Sequence, residues 1–359
     1  MIWLTWRQFR TQAVVVCGLL AAVAVALAVT GPHLVHLYDT TVKPCASHGD
    51  CAAATESFMN NDRLLQQLGQ VVLAAPALIG IFWGAPLIAG EFENNTFRLV
   101  WTQSVSRTRW LALKLGLVGL ASMVAAGLLS LMVTWWSSPF DRITDSPFSP
   151  SSFDRRDLVP IGYAAFAFVL GVIAGVLIRR TLPAMAATLV AFIGVRVAFF
   201  EWVRPHLMTP LRALVPLNAQ TGVVLGPAGY ASGHINAADW DLSEQTVTGA
   251  GRVIGENGGI GPNGSLGFNV SPNGTLTMQG VGTCPNKAPV GSSPRAGAPS
   301  PAFQHATQEC VNKLGIREVL SYQPIGRYWD FQWYETAIFI GFGLVLAGFC
   351  FWWVRRRLS

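Results

Sequence analysis

Six runs of the chain, residues 13–29, 71–89, 111–136, 159–178, 183–200 and 334–354, stay apolar over lengths close to the thickness of a bilayer. A helix rises about 1.5 Å per residue, so about 20 apolar residues cross the hydrocarbon core. Only 12% of the residues are charged, about half the share usual in soluble domains, and the 13 tryptophans suit the boundary between lipid and water. The fifth run alone carries an acid or base away from its first few residues, Arg196. Gly and Pro inside the runs (Pro76, Gly80, Pro86, Gly171, Gly175) are tolerated where neighbouring helices satisfy the backbone. Gly171-x-x-x-Gly175 has the spacing by which small residues let two membrane helices approach. The expected fold class is an all-α membrane protein of six transmembrane helices, with an N-terminal interfacial helix and a large, partly β extracytoplasmic insertion between helices 5 and 6.

The basic residues set the expected orientation. With both termini inside, the inner pieces hold Arg7, Arg10, Arg98, Arg107, Arg109, Lys114, Arg179, Arg180, Arg355, Arg356 and Arg357 against only two acids, Glu91 and Glu93. The remaining 14 basic residues are outnumbered by 17 acids. Every short inner loop is then basic, as the positive-inside rule requires. A bacterial plasma membrane is the expected location, with cytoplasmic termini. The net charge of +6 is placed beside the spans, which argues for lipid rather than nucleic acid as its partner.

Outside the spans, residues 1–12 set Trp3, Trp6 and Phe9 among Thr5, Arg7, Gln8 and Arg10, a pattern for an amphipathic helix lying in the interface. Ala26-Leu27-Ala28 resembles a signal cleavage site, but the run before it is long for a signal core, and the segment is expected to be retained. Residues 30–70 form an outer loop with Cys45, Cys51 and a polar helix over 55–70, and 137–158 form a shorter one. The largest outer region, 201–333, opens with Pro205, Pro210 and Pro216 among apolar residues, which predicts short helices near the membrane surface. It then turns Gly-rich, and Pro-Asn-Gly recurs at 262–264 and 272–274 around an alternating stretch, a hairpin signal. A loop rich in Pro, Gly and Ser follows at 287–301, bracketed by Cys284 and Cys310.

Four of the six cysteines lie in outer regions, where oxidation is permitted, and locality pairs them as Cys45–Cys51 and Cys284–Cys310. A zinc site would need C-x-x-C or paired His spacing, which is lacking, so no metal is expected. Asp239-x-Asp241-x-x-Glu244 lacks the spacing of a calcium loop and reads as a solvated acidic turn. Arg196 either snorkels toward headgroups or pairs with Glu201 or Glu335; the alternative is a role in a pathway.

The most informative segment is the inner loop 90–110. Glu91 and Glu93 leave the second span, Phe97, Leu99, Val100 and Trp101 crowd one short stretch, and Ser104-x-Ser106-Arg107 leads to Trp110 and Lys114. Apolar side chains on a segment too polar for the membrane want a partner surface. Glu-x-Glu-x-x-Thr96, followed at this distance by Ser-x-Ser-Arg-x-x-Trp and Lys, resembles the inner loop of permease subunits of type-two ATP-binding-cassette exporters. The order of spans is similar too, and Tyr322-Gln-Pro-x-x-Arg327-Tyr-Trp-x-Phe-Gln332-x-x-Glu335 resembles the entry to the last span in many actinobacterial members. Asn95 departs from the family's usual Gly before Thr96.

The resemblance implies that the loop contains a coupling helix docking on a separate ATP-binding subunit. Glu91, Glu93 and Arg98 would be its polar contacts, Phe97 and Trp101 its apolar anchors, with Thr96 and Arg107 beside them. The plainer alternative has Glu91 and Glu93 cap a helix or pair with nearby bases. No G-x-x-x-x-G-K-[ST] motif occurs here, so ATP and magnesium belong on the partner, the chain itself is no enzyme, and none of its own residues is expected to hold a cofactor. Family members pair two permeases, here expected as a homodimer or a related heterodimer exporting a hydrophobic or amphipathic molecule. A path between spans two and five would be lined by Phe82, Trp83, Phe192, Arg196, Phe199 and Phe200, which suit packing or lipid equally. Other readings are an outer ligand sensor or immunity protein that does not pump, and a membrane-anchored enzyme; no clustered acid, base and nucleophile supports the latter.

Overall fold

The computed structural model describes residues 2–44, 63–93, 106–137, 147–216, 224–225, 231–232, 238–256, 259–260, 268–271, 273–278, 282–287 and 301–357. These fall into two compact units, one within Met1–Thr144, Ser149–Leu207 and Tyr328–Ser359, the other within Asp145–Phe148 and Met208–Arg327. In chain order the helices are α1 (Ile2–Leu37), α2 (Arg63–Ile79), α3 (Ala85–Glu93), α4 (Arg107–Trp136), α5 (Pro150–Phe153), α6 (Val159–Ile178), α7 (Thr181–Ala198), α8 (Pro301–Lys313) and α9 (Tyr328–Arg357). Six helical segments among the described residues are long and apolar enough to cross a membrane: Cys17–Val42, Val72–Glu93, Thr108–Trp136, Val159–Ile178, Thr181–His206 and Ile325–Arg356. The chain is an all-α membrane protein with a mixed insertion.

Local chemistry explains where these helices run past the apolar runs. No Gly or Pro separates residues 1–12 from the first span, so α1 continues without a break from Ile2, each added residue gaining one backbone bond. The second span is α2 and α3 joined through a π-helical turn, Gly80–Gly84. Pro86 has no N–H to return to the carbonyl of Phe82, and a widened turn absorbs that gap. A similar turn, Phe199–Val203, prolongs α7.

The core of the first unit sits on α6, which is apolar all round and therefore needs cover on every side. It packs against α2, α3, α4, α7 and α9, and Tyr163, Phe168 and Val172 are buried on it. The approach of α6 to the second span is close enough to exclude side chains. A Cβ at Gly171 would collide with the carbonyl oxygen of Gly80, and one at Gly175 would lie 2.7 Å from the carbonyl oxygen of Ala85. The Gly-x-x-x-Gly spacing thus marks a helix contact.

In the second unit, a five-stranded antiparallel sheet runs in the order β1 (Leu211–Pro216), β10 (Arg317–Gln323), β4 (Trp240–Val247), β5 (Val253–Glu256), β6 (Gly259–Ile260). Beside it are a three-stranded sheet of β7 (Phe268–Val270), β8 (Thr275–Met278) and β9 (Gly282–Lys287), and the pair β2 (Val224–Leu225) and β3 (Ala231–Ser232). The prolines at 210 and 216 therefore flank and end an edge strand, where no ladder N–H is required, rather than shaping helices; only Pro205 sits in a short 3₁₀ turn, Arg204–His206.

The second Pro-Asn-Gly forms the expected hairpin turn between β7 and β8. The Ser271 N–H donates to the Thr275 carbonyl at 2.9 Å, the Thr275 N–H donates to the Ser271 hydroxyl at 3.0 Å, and Gly274 takes a φ of 76°; the first copy lies outside the described residues. Cys284 on β9 is bonded to Cys310 on α8, while Cys45 and Cys51 lie outside the described residues. Helix α8 ends in a paired cap, Ile316 N to Val311 O and Gly315 N to Asn312 O, with Gly315 left-handed at φ 62°. That cap turns the chain into β10.

The acidic cluster is a correction. Asp241 and Glu244 belong to β4 rather than to a solvated turn, and buried Asp239 accepts a bond from the backbone N–H of Ile325 at 2.9 Å. Among the described residues, no group of His, Cys, Asp and Glu could hold a metal.

Two predictions follow from packing and burial. Gly171→Ala forces α6 away from Gly80, an overpacking cost of about 1–3 kcal/mol, and lowers the melting midpoint in detergent. Gly341→Ala, with nothing within 4 Å, leaves that midpoint unchanged. Fully buried Glu318 on β10 faces Thr246 in the register. Burial first, then the nearby charge of Glu244, pushes its carboxyl up to about 8. The folded chain then holds a proton that the unfolded chain releases, so stability falls as pH rises from about 5 to 8. Melting of the intact chain at pH 5.5 and 8.5 is expected to show that loss, and Glu318→Gln to diminish it.

Candidate functional site

Among the described residues of the membrane unit, two clusters of charged side chains tie helices together. The first surrounds the exit from the second span. The carboxylate of Glu91, at the end of α3, pairs with Lys114 on α4, and both side chains are nearly buried. The same ammonium lies 4.9 Å from the ring centre of Trp110. Two residues on, Glu93 accepts bonds from the backbone N–H of Thr181 at 3.1 Å and from the Thr181 hydroxyl. Helix α7 has no side-chain cap from its own N-cap residue, Arg180. A carboxylate from a different helix therefore satisfies its first turn and meets the positive end of its dipole. Arg179, the left-handed residue that ends α6, lies 5.6 Å from the Phe92 ring. Ser106 caps α4 by accepting the N–H of Arg109 at 3.4 Å.

The expected polar contacts of a partner, Glu91 and Glu93, are thus both engaged within the chain. Glu91 holds the start of α4, and exposed Glu93 holds the start of α7. Thr96, Phe97, Arg98 and Trp101 lie outside the described residues, and Arg107 is the first residue of α4. The segment 94–105 leaves from one clamped helix and returns to another.

The second place lies where α6 and α9 begin and the fifth span ends. Arg204 is fully buried, and its guanidinium donates to Glu335 through Nε and Nη2 at 2.8 Å each, to Asp154, and to the Tyr163 hydroxyl at 3.2 Å. Arg196 donates to the other oxygen of Asp154 and stacks 4.6 Å from the Tyr163 ring centre. Its partner is therefore neither Glu201 nor Glu335 but a residue of the loop 137–158. Two cations and two carboxylates balance, as burial in lipid demands.

Around this cluster, the motif at the head of the last span divides into separate jobs. Gln332 accepts the backbone N–H groups of Leu158 and Val159 at 3.2 and 3.1 Å, capping α6 from another helix. Tyr328 donates to Asp157 at 2.6 Å. In the second unit, Gln323 donates to the carbonyl of Met208, and Arg327 to that of Thr209, each at 2.8 Å. Asp154 and Tyr163 escaped the sequence reading; the available signal was that two arginines near one membrane end required carboxylates.

The candidate path residues do not share one face. Trp83, Phe192 and Phe199 are buried, Phe192 and Phe199 among Tyr163, Phe166 and Phe339. Phe200 lies 5.2 Å from the Arg204 guanidinium. Phe82 is 55% exposed. Within one chain these aromatics are chiefly packing.

Removing one member of the Arg204 cluster leaves an opposite charge buried without its partner. Arg204→Ala or Glu335→Ala is expected to cost about 3–5 kcal/mol, read as a fall in the melting midpoint. A double-mutant cycle over the two positions is expected to give a coupling well above the small value of an exposed pair.

The family of proteins described as ABC-2 membrane transporter related matches residues 17–204, from the first span through Arg204. No curated protein and no solved structure matches the chain. The match covers more than half of the chain and includes the loop after the second span and three of the four charged residues around Arg204. The chain belongs to the ABC-2 membrane transporter related family.

Proposed function

We propose that this chain is the permease subunit of an ATP-driven exporter in a bacterial plasma membrane. In this reading both termini are cytoplasmic, and two permease chains work with separate subunits that bind ATP and magnesium. The pair moves a hydrophobic or amphipathic molecule by alternating access. The observation that carries the reading is the double clamp on the inner loop. Glu91–Lys114 and Glu93–Thr181 tie the end of α3, from which residues 94–105 depart, to α4 and α7, so a push on that segment has direct routes into the third and fifth spans. Docking then falls to Phe97, Arg98 and Trp101, with Thr96 and Arg107 at the margins, while Glu91 and Glu93 transmit the motion.

The substrate path lies between the second and fifth spans of the two protomers. On that path Phe82 is the best placed of the six candidate residues, because its ring is exposed within its own chain. Trp83, Phe192 and Phe199 shape the wall from behind.

Co-purification in mild detergent with a Walker-A-bearing ATP-binding subunit tests this reading, and failure to associate sinks it. Trp101→Ala is expected to weaken the association roughly 30-fold, the about 2 kcal/mol of an anchor residue. Glu93→Gln is expected to keep the association but lower permease-stimulated ATP turnover. Equal turnover in wild type and Glu93→Gln would remove the clamp from the mechanism.

A further inference from the structure

The first three spans leave a cleft that the transport reading does not use. It has a volume of about 210 Å³ and is walled by aliphatic side chains, among them Leu20 and Leu27 of α1, Ala75 and Ile79 of α2, and Ala126 and Leu129 of α4. From Leu20 to Leu27 it follows the axis of α1 for about 10 Å. Trp136 closes its end, and the same indole lines a second hollow of about 420 Å³ one turn further along α1, with Gly31, Pro32, Val35, His36, Asp39 and Trp135. The Trp136 wall is fixed: its ring N–H donates to the Thr30 hydroxyl at 3.1 Å, and that hydroxyl donates to the Ala26 carbonyl at 2.8 Å. An aliphatic slot and a mouth lined by Asp39, His36 and two tryptophans therefore adjoin at Trp136, where α1 and α4 end.

We propose that this slot and mouth bind a membrane phospholipid with an ethanolamine head, one acyl chain in the slot and the head in the mouth. Charge complementarity selects the head. Asp39 lines the mouth and Lys43 lies one turn beyond it, 3.3 Å apart and respectively 44% and 68% exposed. An ion pair so exposed contributes little, so its members are free to exchange partners. Asp39 then takes the lipid ammonium, which also meets the exposed indole of Trp135, and Lys43 takes the phosphate. An anionic lipid would satisfy Lys43 and leave Asp39 opposed. A choline head has no N–H to donate to Asp39. The site requires only that these spans lie in lipid and is independent of transport.

The test titrates the delipidated full chain in detergent with phosphatidylethanolamine, phosphatidylcholine and phosphatidylglycerol of one acyl composition, counting bound lipid by native mass spectrometry. The ethanolamine lipid is expected to bind at roughly fivefold lower concentration than either other lipid, the scale of one exposed ion pair. Asp39→Asn and Lys43→Gln, both at the surface, are expected to abolish that preference while lipid still binds. Ala75→Trp fills the slot and is expected to remove binding of all three lipids. Equal binding of the three lipids by wild type overturns the proposal, as does a preference that survives both head variants. Preference for phosphatidylglycerol assigns the mouth to an anionic lipid and overturns it too. Absence of any bound lipid, with a second copy covering the cleft instead, is equally fatal to it.

Discussion

The guanidinium of Arg204 has no water to fall back on. It lies buried between the carboxylates of Asp154 and Glu335, and so the short loop helix α5, the start of α6, the end of the fifth span and the start of α9 are all fixed relative to one point. Each ion in that group would be costly in lipid alone; together they are neutral and multiply hydrogen-bonded. Arg204 and Glu335 lie 131 residues apart in the chain, so their pairing joins the end of the fifth span to the start of the last one.

At the other end the same economy of polar groups serves a different purpose. Glu91 and Glu93 stand two residues apart, yet one faces inward to Lys114 and the other reaches the first turn of α7. The first bond joins consecutive helices and the second reaches a helix 88 residues further along the chain. Between these ends the second and fourth spans touch backbone to backbone through Gly80, Gly84, Gly171 and Gly175, a contact with no side chains to yield. A displacement of α3 is therefore passed on to α6 rather than absorbed.

Much of this was legible in the residues. Apolar length gave six crossings because lipid cannot satisfy a polar backbone outside a helix. Pro-Asn-Gly at 272–274 predicted a hairpin because few residues take a positive φ. Cys284 and Cys310 were paired by locality, and the disulfide joins them. The prolines at 210 and 216 misled, since proline marks an edge strand as readily as a helix start. The acids at 239–244 misled because their strand partner, β10, lies more than seventy residues away in the chain.

The sequence by itself determined that this chain lives in a bilayer, how many times it crosses, and that the loop after the second span is unlike an ordinary turn. Those properties depend on composition and on local spacing, which need no partner to be read. Only the tertiary structure decided which carboxylate meets which cation. Arg196 had Glu201 near it in sequence and chose Asp154, because helices that pack side by side bring together residues that the chain keeps far apart. The same geometry gave Glu91 and Glu93 partners within the chain, Lys114 and Thr181, and gave Gln332, unremarkable as a letter, the cap of a distant helix.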